Sequence, residues 1–317
     1  MSWNNKYRPK KLDELFLNDI LFNKISNFIN NKEISNIIIS GHPGTGKTSS
    51  IVLLSKLIYA KYKKKAIIKL NASYNRGLNT INNSIVNFCK KKIELPNNLS
   101  KLIILDEADN ITNKAQYSLI NLMDKYKETT KFAFTCNDSN NIIEGIQSRC
   151  IILYYNKIDN NNIKKKLKNI CNKEKIKFTI DGLETIVNIS DGDMRKAINY
   201  LEMIYNGFNI INNENIYKIC DKPNKNHILK IFDNAKKNNL KNIFDIVLKL
   251  RNDGYCNNDI IMIIINVIKK EKIINEKIKI KLLDSLYDSL VRISNGYDTK
   301  LQLLYCINKV YKIYNKN

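Results

Sequence analysis

The residues best suited to chemistry lie in one short segment. Gly41-His42-Pro43-Gly44-Thr45-Gly46-Lys47-Thr48 satisfies the pattern G-x-x-x-x-G-K-[ST] in full. It follows the apolar run Ile37-Ile38-Ile39 and leads into a helical stretch. In that context, glycine-rich backbone N–H groups curl around phosphate oxygens at a helix N-terminus. Lys47 then reaches the β and γ phosphates, and the Thr48 hydroxyl ligates magnesium. His42 reads as a loop residue rather than a catalyst.

A second apolar run ends in carboxylates, Leu102-Ile103-Ile104-Leu105-Asp106-Glu107-Ala108-Asp109. Asp106 at the strand tip can hold hydrated magnesium, and the adjacent Glu107 can polarise an attacking water. Asn137 closes a third run, Lys131-Phe132-Ala133-Phe134-Thr135-Cys136. Its amide can hydrogen-bond a terminal phosphate and the water without adding charge, although on its own it also suits a turn. Together these segments predict ATP and magnesium, and a guanine-specific reading is set aside.

These side chains need a scaffold that brings strand ends together. Residues 36 to about 155 alternate short apolar runs with helical stretches, which predicts βαβ units around a parallel sheet. The runs are Ile37–Ile39, Ala66–Ile68, Leu102–Leu105, Phe132–Phe134 and Ile151–Leu153, apolar enough for strands covered on both faces. After about residue 156 the strand signal fades and helical periodicity takes over. Asp181-Gly182-Leu183 opens one helix, and Gly192-Asp193-Met194 precedes another. Further on, Ile280, Leu283, Leu286, Tyr287, Leu290 and Val291 recur at helical spacing. With a boundary near Pro223, the expectation is an α/β nucleotide-binding domain (1–155), a small helical domain (156–222) and a helical C-terminal domain (223–317).

Composition narrows the partners. The 317 residues suit about two domains or three small ones. Fifty-three lysines and arginines against 30 acids give +23, which suits a polyanionic partner. An asparagine- and lysine-rich composition, with 50 asparagines, offers a blander source for part of that charge. Only six cations are arginine: Arg8, Arg76, Arg149, Arg195, Arg251 and Arg292. Where composition favours lysine, arginine is expected where a planar fork is needed. Seven cysteines, never spaced Cys-x-x-Cys, argue against a disulfide framework or zinc module and for a reducing compartment. The longest strongly apolar run, Ile260–Ile268, is too short to span a bilayer, and the first residues form no secretory leader. No membrane association or secretion is expected.

The wider pattern resembles the small subunits of replication factor C, clamp-loader members of the AAA+ ATPases. It is carried by Trp3-Asn4-Asn5-Lys6-Tyr7-Arg8-Pro9, Gly41–Thr48, Asn71-Ala72-Ser73-x-x-Arg76-Gly77 and Leu105–Asp109. It continues through Cys136–Cys150, ending in Ser148-Arg149-Cys150, and through Gly192-Asp193-Met194-Arg195-Lys196-Ala197. The resemblance covers roughly residues 1 to 205, and the helical remainder suits that family's collar.

It implies an AAA+ domain with parallel sheet, a helical lid and an all-helical collar, together with several roles. Arg149 would be the arginine finger offered in trans to ATP on a neighbour. Arg195 would be a lid sensor acting in cis, and Asn137 the other sensor. Tyr7, Arg8 and Pro9 would lie near the adenine. The implied partners are other subunits of a hetero-pentamer, a ring-shaped sliding clamp and primer–template DNA. The implied place is the nucleus for a cellular protein, or the cytoplasm for a large DNA virus.

The chain departs from that family's pattern at Tyr74-Asn75, at Asn82, Ser84 and Val86, at Ile120-Asn121 ahead of Leu122-Met123-Asp124, and at Gly145. These departures touch DNA contact and its coupling more than ATP chemistry. A non-hydrolysing structural subunit that supplies Arg149 is the alternative. A helicase is disfavoured because the helical second half offers no second strand-alternating domain, and an initiator or branch-migration motor because of Ser148-Arg149-Cys150.

Overall fold

Strands form where the expected apolar runs lie, and all five pair in parallel. The computed structural model describes residues 2–73, 78–96, 99–220, 223, 225–270 and 275–315, with backbone alone at 61, 63, 78–82, 225, 226 and 270. The segment Tyr74-Asn75-Arg76-Gly77, the side chain of Asn82, and Asp221, Lys222 and Asn224 beside the expected boundary lie outside the described residues. The chain divides into two compact units, Met1–Asn212 and Asn213–Asn317.

In the first unit, β1 (Ile37–Gly41), β2 (Ile67–Asn71), β3 (Lys101–Asp106), β4 (Thr130–Cys136) and β5 (Ile151–Tyr155) form one sheet in the order β2-β3-β4-β1-β5. The register sets Ile37 against both Ala133 and Ile151. Along β1 the side chains alternate between two cores. Ile38 joins Ile103, Leu105, Phe132 and Phe134 on one face, while Ile37 and Ile39 join Leu102, Ile104 and Ala133 on the other.

The helices of this unit are α1 (Trp3–Lys6), α2 (Asp19–Asn31), α3 (Lys47–Tyr59), α4 (Lys63–Ala66), α5 (Leu78–Lys90), α6 (Asn113–Lys125), α7 (Glu144–Gln147), α8 (Asn160–Lys173), α9 (Ile180–Ser190) and α10 (Met194–Phe208). Ile85 of α5 and Leu119 of α6 cover the first face; Ile25 of α2 and Ile51 and Leu54 of α3 cover the second. Burial on both faces holds for β3, β4 and β1. The outer strands β2 and β5 are half-buried, because only one neighbour flanks each.

Two features of this unit escaped the pattern. A two-residue parallel ladder, β6 (Lys177–Phe178) with β7 (Ile210–Ile211), lies where strand signals had faded, too short for any alternation to register. Lys101, the first residue of β3, is buried, and its ammonium donates to the carbonyls of Phe88, Cys89 and Lys91 at the end of α5. A cation there satisfies carbonyls left without helical partners.

The second unit holds α11 (Asn213–Ile219), α12 (Lys225–Lys236), α13 (Leu240–Asn252), α14 (Asn257–Lys270), α15 (Glu276–Ser294) and α16 (Lys300–Asn315). Their core includes Ile228, Val247, Ile260, Ile264, Leu286 and Leu303. On α15 the helical period is as expected but the buried stripe is displaced. Leu282, Leu286 and Ile293 are buried and Leu283 and Leu290 partly so, whereas Ile280, Tyr287 and Val291 are exposed. Among the described residues, no helix is long and apolar enough to cross a membrane.

Candidate functional site

Parallel strands present all their carboxyl ends on one edge, and ligands of such sheets bind there where the strand order reverses. Here β1 ends at Gly41, β3 at Asp106 and β4 at Cys136, so the three predicted motifs meet at one edge. They border a cavity of about 470 Å³. Pro43 to Thr48 line it from the loop that enters α3, Asp106 and Glu107 from β3, and Asn137 from β4. Tyr7, Arg8 and Pro9 approach from the N-terminal segment and Arg195 from α10. Gly41 and His42 stand just behind, contributing backbone carbonyls rather than side chains.

The loop is held by its own polar groups. Lys47 Nζ donates to the carbonyls of Gly41 (2.7 Å) and His42 (2.8 Å) and to Asn137 Oδ1 (3.1 Å). Burial pushes the Lys47 ammonium below its usual pKa, against attraction from Asp109 and Asp106, and Arg195 adds to the lowering. A desolvated cation near a second cation favours a polyanion between them. Gly41 is needed for close approach, since a Cβ there would sit 2.2 Å from the Tyr155 carbonyl oxygen. Gly44 has φ +70°, and a Cβ would lie 1.6 Å from Asp193 Oδ1. Asp193 caps α10 by accepting from Lys196 N–H at 2.9 Å. Phosphate loop and lid helix are therefore in contact.

Asp106 is the polar centre. Its Oδ1 accepts from Thr48 Oγ1 (2.9 Å) and Thr135 Oγ1 (2.5 Å), and its Oδ2 pairs with Lys69 Nζ at 2.8 Å. Burial would raise its pKa, but the bonds from Lys69, Thr135 and Thr48 outweigh it and hold the carboxyl below the usual value. Thr48 gives its proton to Asp106 and keeps its oxygen lone pairs for a hard cation, a donor set that fits magnesium. Glu107 is exposed and sits at φ +56°, a left-handed conformation uncommon outside glycine. Its N–H donates to Thr135 Oγ1 at 3.3 Å. Asp109 accepts from Asn137 N–H at 3.1 Å, which ties the two strand ends together.

Arg149 stands apart from the cavity. Its Nε and Nη2 grip both oxygens of Asp124, at 2.7 and 2.9 Å, and Nη1 donates to the Gly145 carbonyl at 2.8 Å. The pair is solvent-facing, and the guanidinium holds the Asp124 carboxyl below its usual pKa. In the isolated chain Arg149 is thus engaged in a surface ion pair. On α6, Gln116 is buried, and its amide donates to the Ile111 and Asn141 carbonyls and accepts from Ile143 N–H.

The N-terminal segment is fastened to the lid. Trp3 N–H and Ser2 Oγ donate to Glu202 at 3.0 and 3.2 Å, and the Trp3 ring lies 5.5 Å from that of Tyr205. Tyr7 donates its hydroxyl to Glu174; burial and that bond push its pKa up to about 12. Arg8 Nε reaches Ser49 Oγ on α3 at 3.2 Å.

Sequence reasoning passed over several cavity residues: Lys69, Thr135, Ile158, Met194 and Ile198. Lys69 is the one charge inside the run Ile67–Leu70, a signal that was available. Setting the guanine-specific reading aside assumes that no Asn-Lys-x-Asp occurs, and that premise is wrong: Asn156-Lys157-Ile158-Asp159 has the form. Here Asp159 caps α8 through Asn161 N–H at 3.1 Å, and Lys157 pairs with Asp191 at 2.7 Å. Only Ile158 of the four lines the cavity, so the match reads no base.

Comparison with known proteins assigns the architecture. Residues 37–158 match the ATPase family associated with various cellular activities (AAA), 165–205 the RCF1/5-like AAA+ ATPase lid domain, and 223–309 the replication factor C C-terminal domain. Replication factor C subunit 4 of Saccharomyces cerevisiae is 35% identical over 100% of this chain and 97% of its own length. The chain belongs to the replication factor C small-subunit family. A probable replication factor C subunit 2 of Dictyostelium discoideum is 37% identical, covering 98% of this chain and 92% of that protein. A putative replication factor C small subunit of Acanthamoeba polyphaga mimivirus is 37% identical over 98% and 96%. In fold, the chain is similar to the Thermotoga maritima RuvB Holliday junction branch migration motor, with TM-score 0.54 and 16% identity over 67% of this chain and 71% of that one. The likeness to an AAA+ motor shows the shared fold; the replication factor C membership rests on the sequence relatives.

Proposed function

We propose that this chain is an ATP-hydrolysing subunit of a hetero-pentameric clamp loader that places a ring-shaped sliding clamp on primer–template DNA. The observation that carries the reading is the convergence of Lys47, Asp106 and Asn137 from three strand ends, joined by the Lys47–Asn137 and Thr48–Asp106 hydrogen bonds. We assign nucleotide binding to 1–155, the lid to 156–222 and the collar to 223–317.

ATP phosphates would lie along Gly41–Thr48, with Lys47 exchanging its carbonyl partners for phosphate oxygens. Thr48 and, through water, Asp106 would hold magnesium, which when bound supplies charge neutralisation on the phosphates. Glu107, presented outward by its left-handed backbone, would take a proton from the attacking water, and Asn137 would orient that water. Arg195 would contact the phosphates in cis. Tyr7, Arg8 and Pro9, with Ile158 and Ile198, would border the base. Arg149, being off the cavity, would serve a neighbouring subunit's ATP by offsetting charge on its γ-phosphate. Hydrolysis removes the γ-phosphate contacts and so releases one arrangement for another. The +23 charge suits the DNA partner, and a nuclear site or viral cytoplasm is the expected place.

The test is Glu107→Gln in the reconstituted complex. ATP affinity should be retained and DNA-stimulated turnover fall at least about tenfold. Unchanged turnover overturns the hydrolytic reading and leaves a structural subunit.

A further inference from the structure

Lys69 belongs to no motif, yet it occupies one oxygen of the carboxylate at the centre of the cavity. Asp106 Oδ1 is committed to Thr48 and Thr135, an arrangement compatible with magnesium ligation by Thr48. Oδ2 is the acceptor left for a cation-bound water, and the Lys69 ammonium stands there at 2.8 Å.

The approach is local and comes from the solvent side. On the outer strand β2, Lys69 pairs in register with Ile104 and Asn71 with Asp106, so the lysine starts two residues short and its stem spans the offset. Its side chain is 40% exposed against 13% for Asp106. The ammonium therefore arrives from solvent and can leave without disturbing the core. It also lines the cavity beside the phosphate loop, so once displaced it still faces a bound polyphosphate.

We propose that Lys69 is a tethered counter-cation for Asp106, which competes with hydrated magnesium for Oδ2 and sets how strongly nucleotide binding depends on magnesium. This rests on reading the cavity as a magnesium–nucleotide site. Without a divalent cation, Lys69 neutralises the carboxylate that would otherwise repel phosphates, so nucleotide is retained. With magnesium present, the ammonium must first be displaced, so more magnesium is needed. Both effects flatten the magnesium dependence.

The experiment measures fluorescent ADP binding to the full chain by anisotropy, from EDTA to millimolar free magnesium. Wild type, Lys69→Met, Lys69→Arg and Lys47→Ala are compared. Lys69→Met should show a ratio of ADP affinities, with and without magnesium, larger than wild type by about fivefold, and half-saturation at lower magnesium. Lys69→Arg, which keeps the charge, should follow wild type. Superimposable magnesium curves for Lys69→Met and wild type, with ADP binding lost in Lys47→Ala, overturn the role of Lys69 and spare the cavity. Equal ADP binding by wild type and Lys47→Ala overturns the reading of the cavity, and this proposal with it.

Discussion

The N–H of Met194, first residue of α10, donates to the carbonyl of Gly44 at 3.3 Å. The lid helix thus starts on the phosphate loop, with the Asp193 carboxylate filling the space beside Gly44.

Gly44→Ala is accordingly a test of loop–lid contact rather than of the loop alone. The new Cβ meets a carboxylate and forces φ +70° on a residue that resists it. Stability should fall by about 1–3 kcal/mol and ADP affinity at least about tenfold, read by urea denaturation and anisotropy. An alanine variant with wild-type affinity would show that loop and lid are not coupled in this way.

Arg149→Lys separates binding from turnover. Lysine cannot grip both oxygens of Asp124 or present a planar fork to a phosphate. ATP affinity of the isolated chain should be unchanged, since Arg149 lies off the cavity. Turnover of the assembled complex should drop at least about a hundredfold. A loss of ATP affinity in the isolated chain would place Arg149 in the wrong site.

The depressed pKa of Asp106 predicts an acid-side loss of stability. Its carboxyl stays ionised in the folded chain to lower pH than in the unfolded chain, where 3.8 applies. The stabilisation is therefore complete above that value and drains away as pH falls through the lower folded-state value. The difference in urea midpoint between wild type and Asp106→Asn should be constant near pH 6 and narrow as pH falls below 3.8. A constant difference across that range contradicts the ion-paired carboxylate.

Trp3 is the sole tryptophan, buried against Tyr205 on the lid while its segment reaches the cavity through Tyr7 and Arg8. ADP should alter its emission in wild type and not in Lys47→Ala. Emission indifferent to ADP in a chain that binds it would uncouple the segment from the site.

Much of the site could be read along the chain because Gly41–Thr48, Asp106–Glu107 and Asn137 each follow a recognisable apolar run, and a parallel sheet must gather strand ends. What could not be read depends on lateral neighbours. Lys69 meets Asp106 only because β2 lies beside β3 in one register, and Arg149, in the turn after α7, meets Asp124 of α6. The α15 stripe failed for a related reason: periodicity gives the helix, but which side is covered depends on α14 and α16 packed against it. Ile280 and Val291 satisfy the period and face solvent all the same.

The seating of α10 on Gly44 gives the chain a lever. Fifteen residues at about 1.5 Å each make an arm of roughly 22 Å. A tilt of about 10° at its root would carry the far end, at Phe208, by about 4 Å.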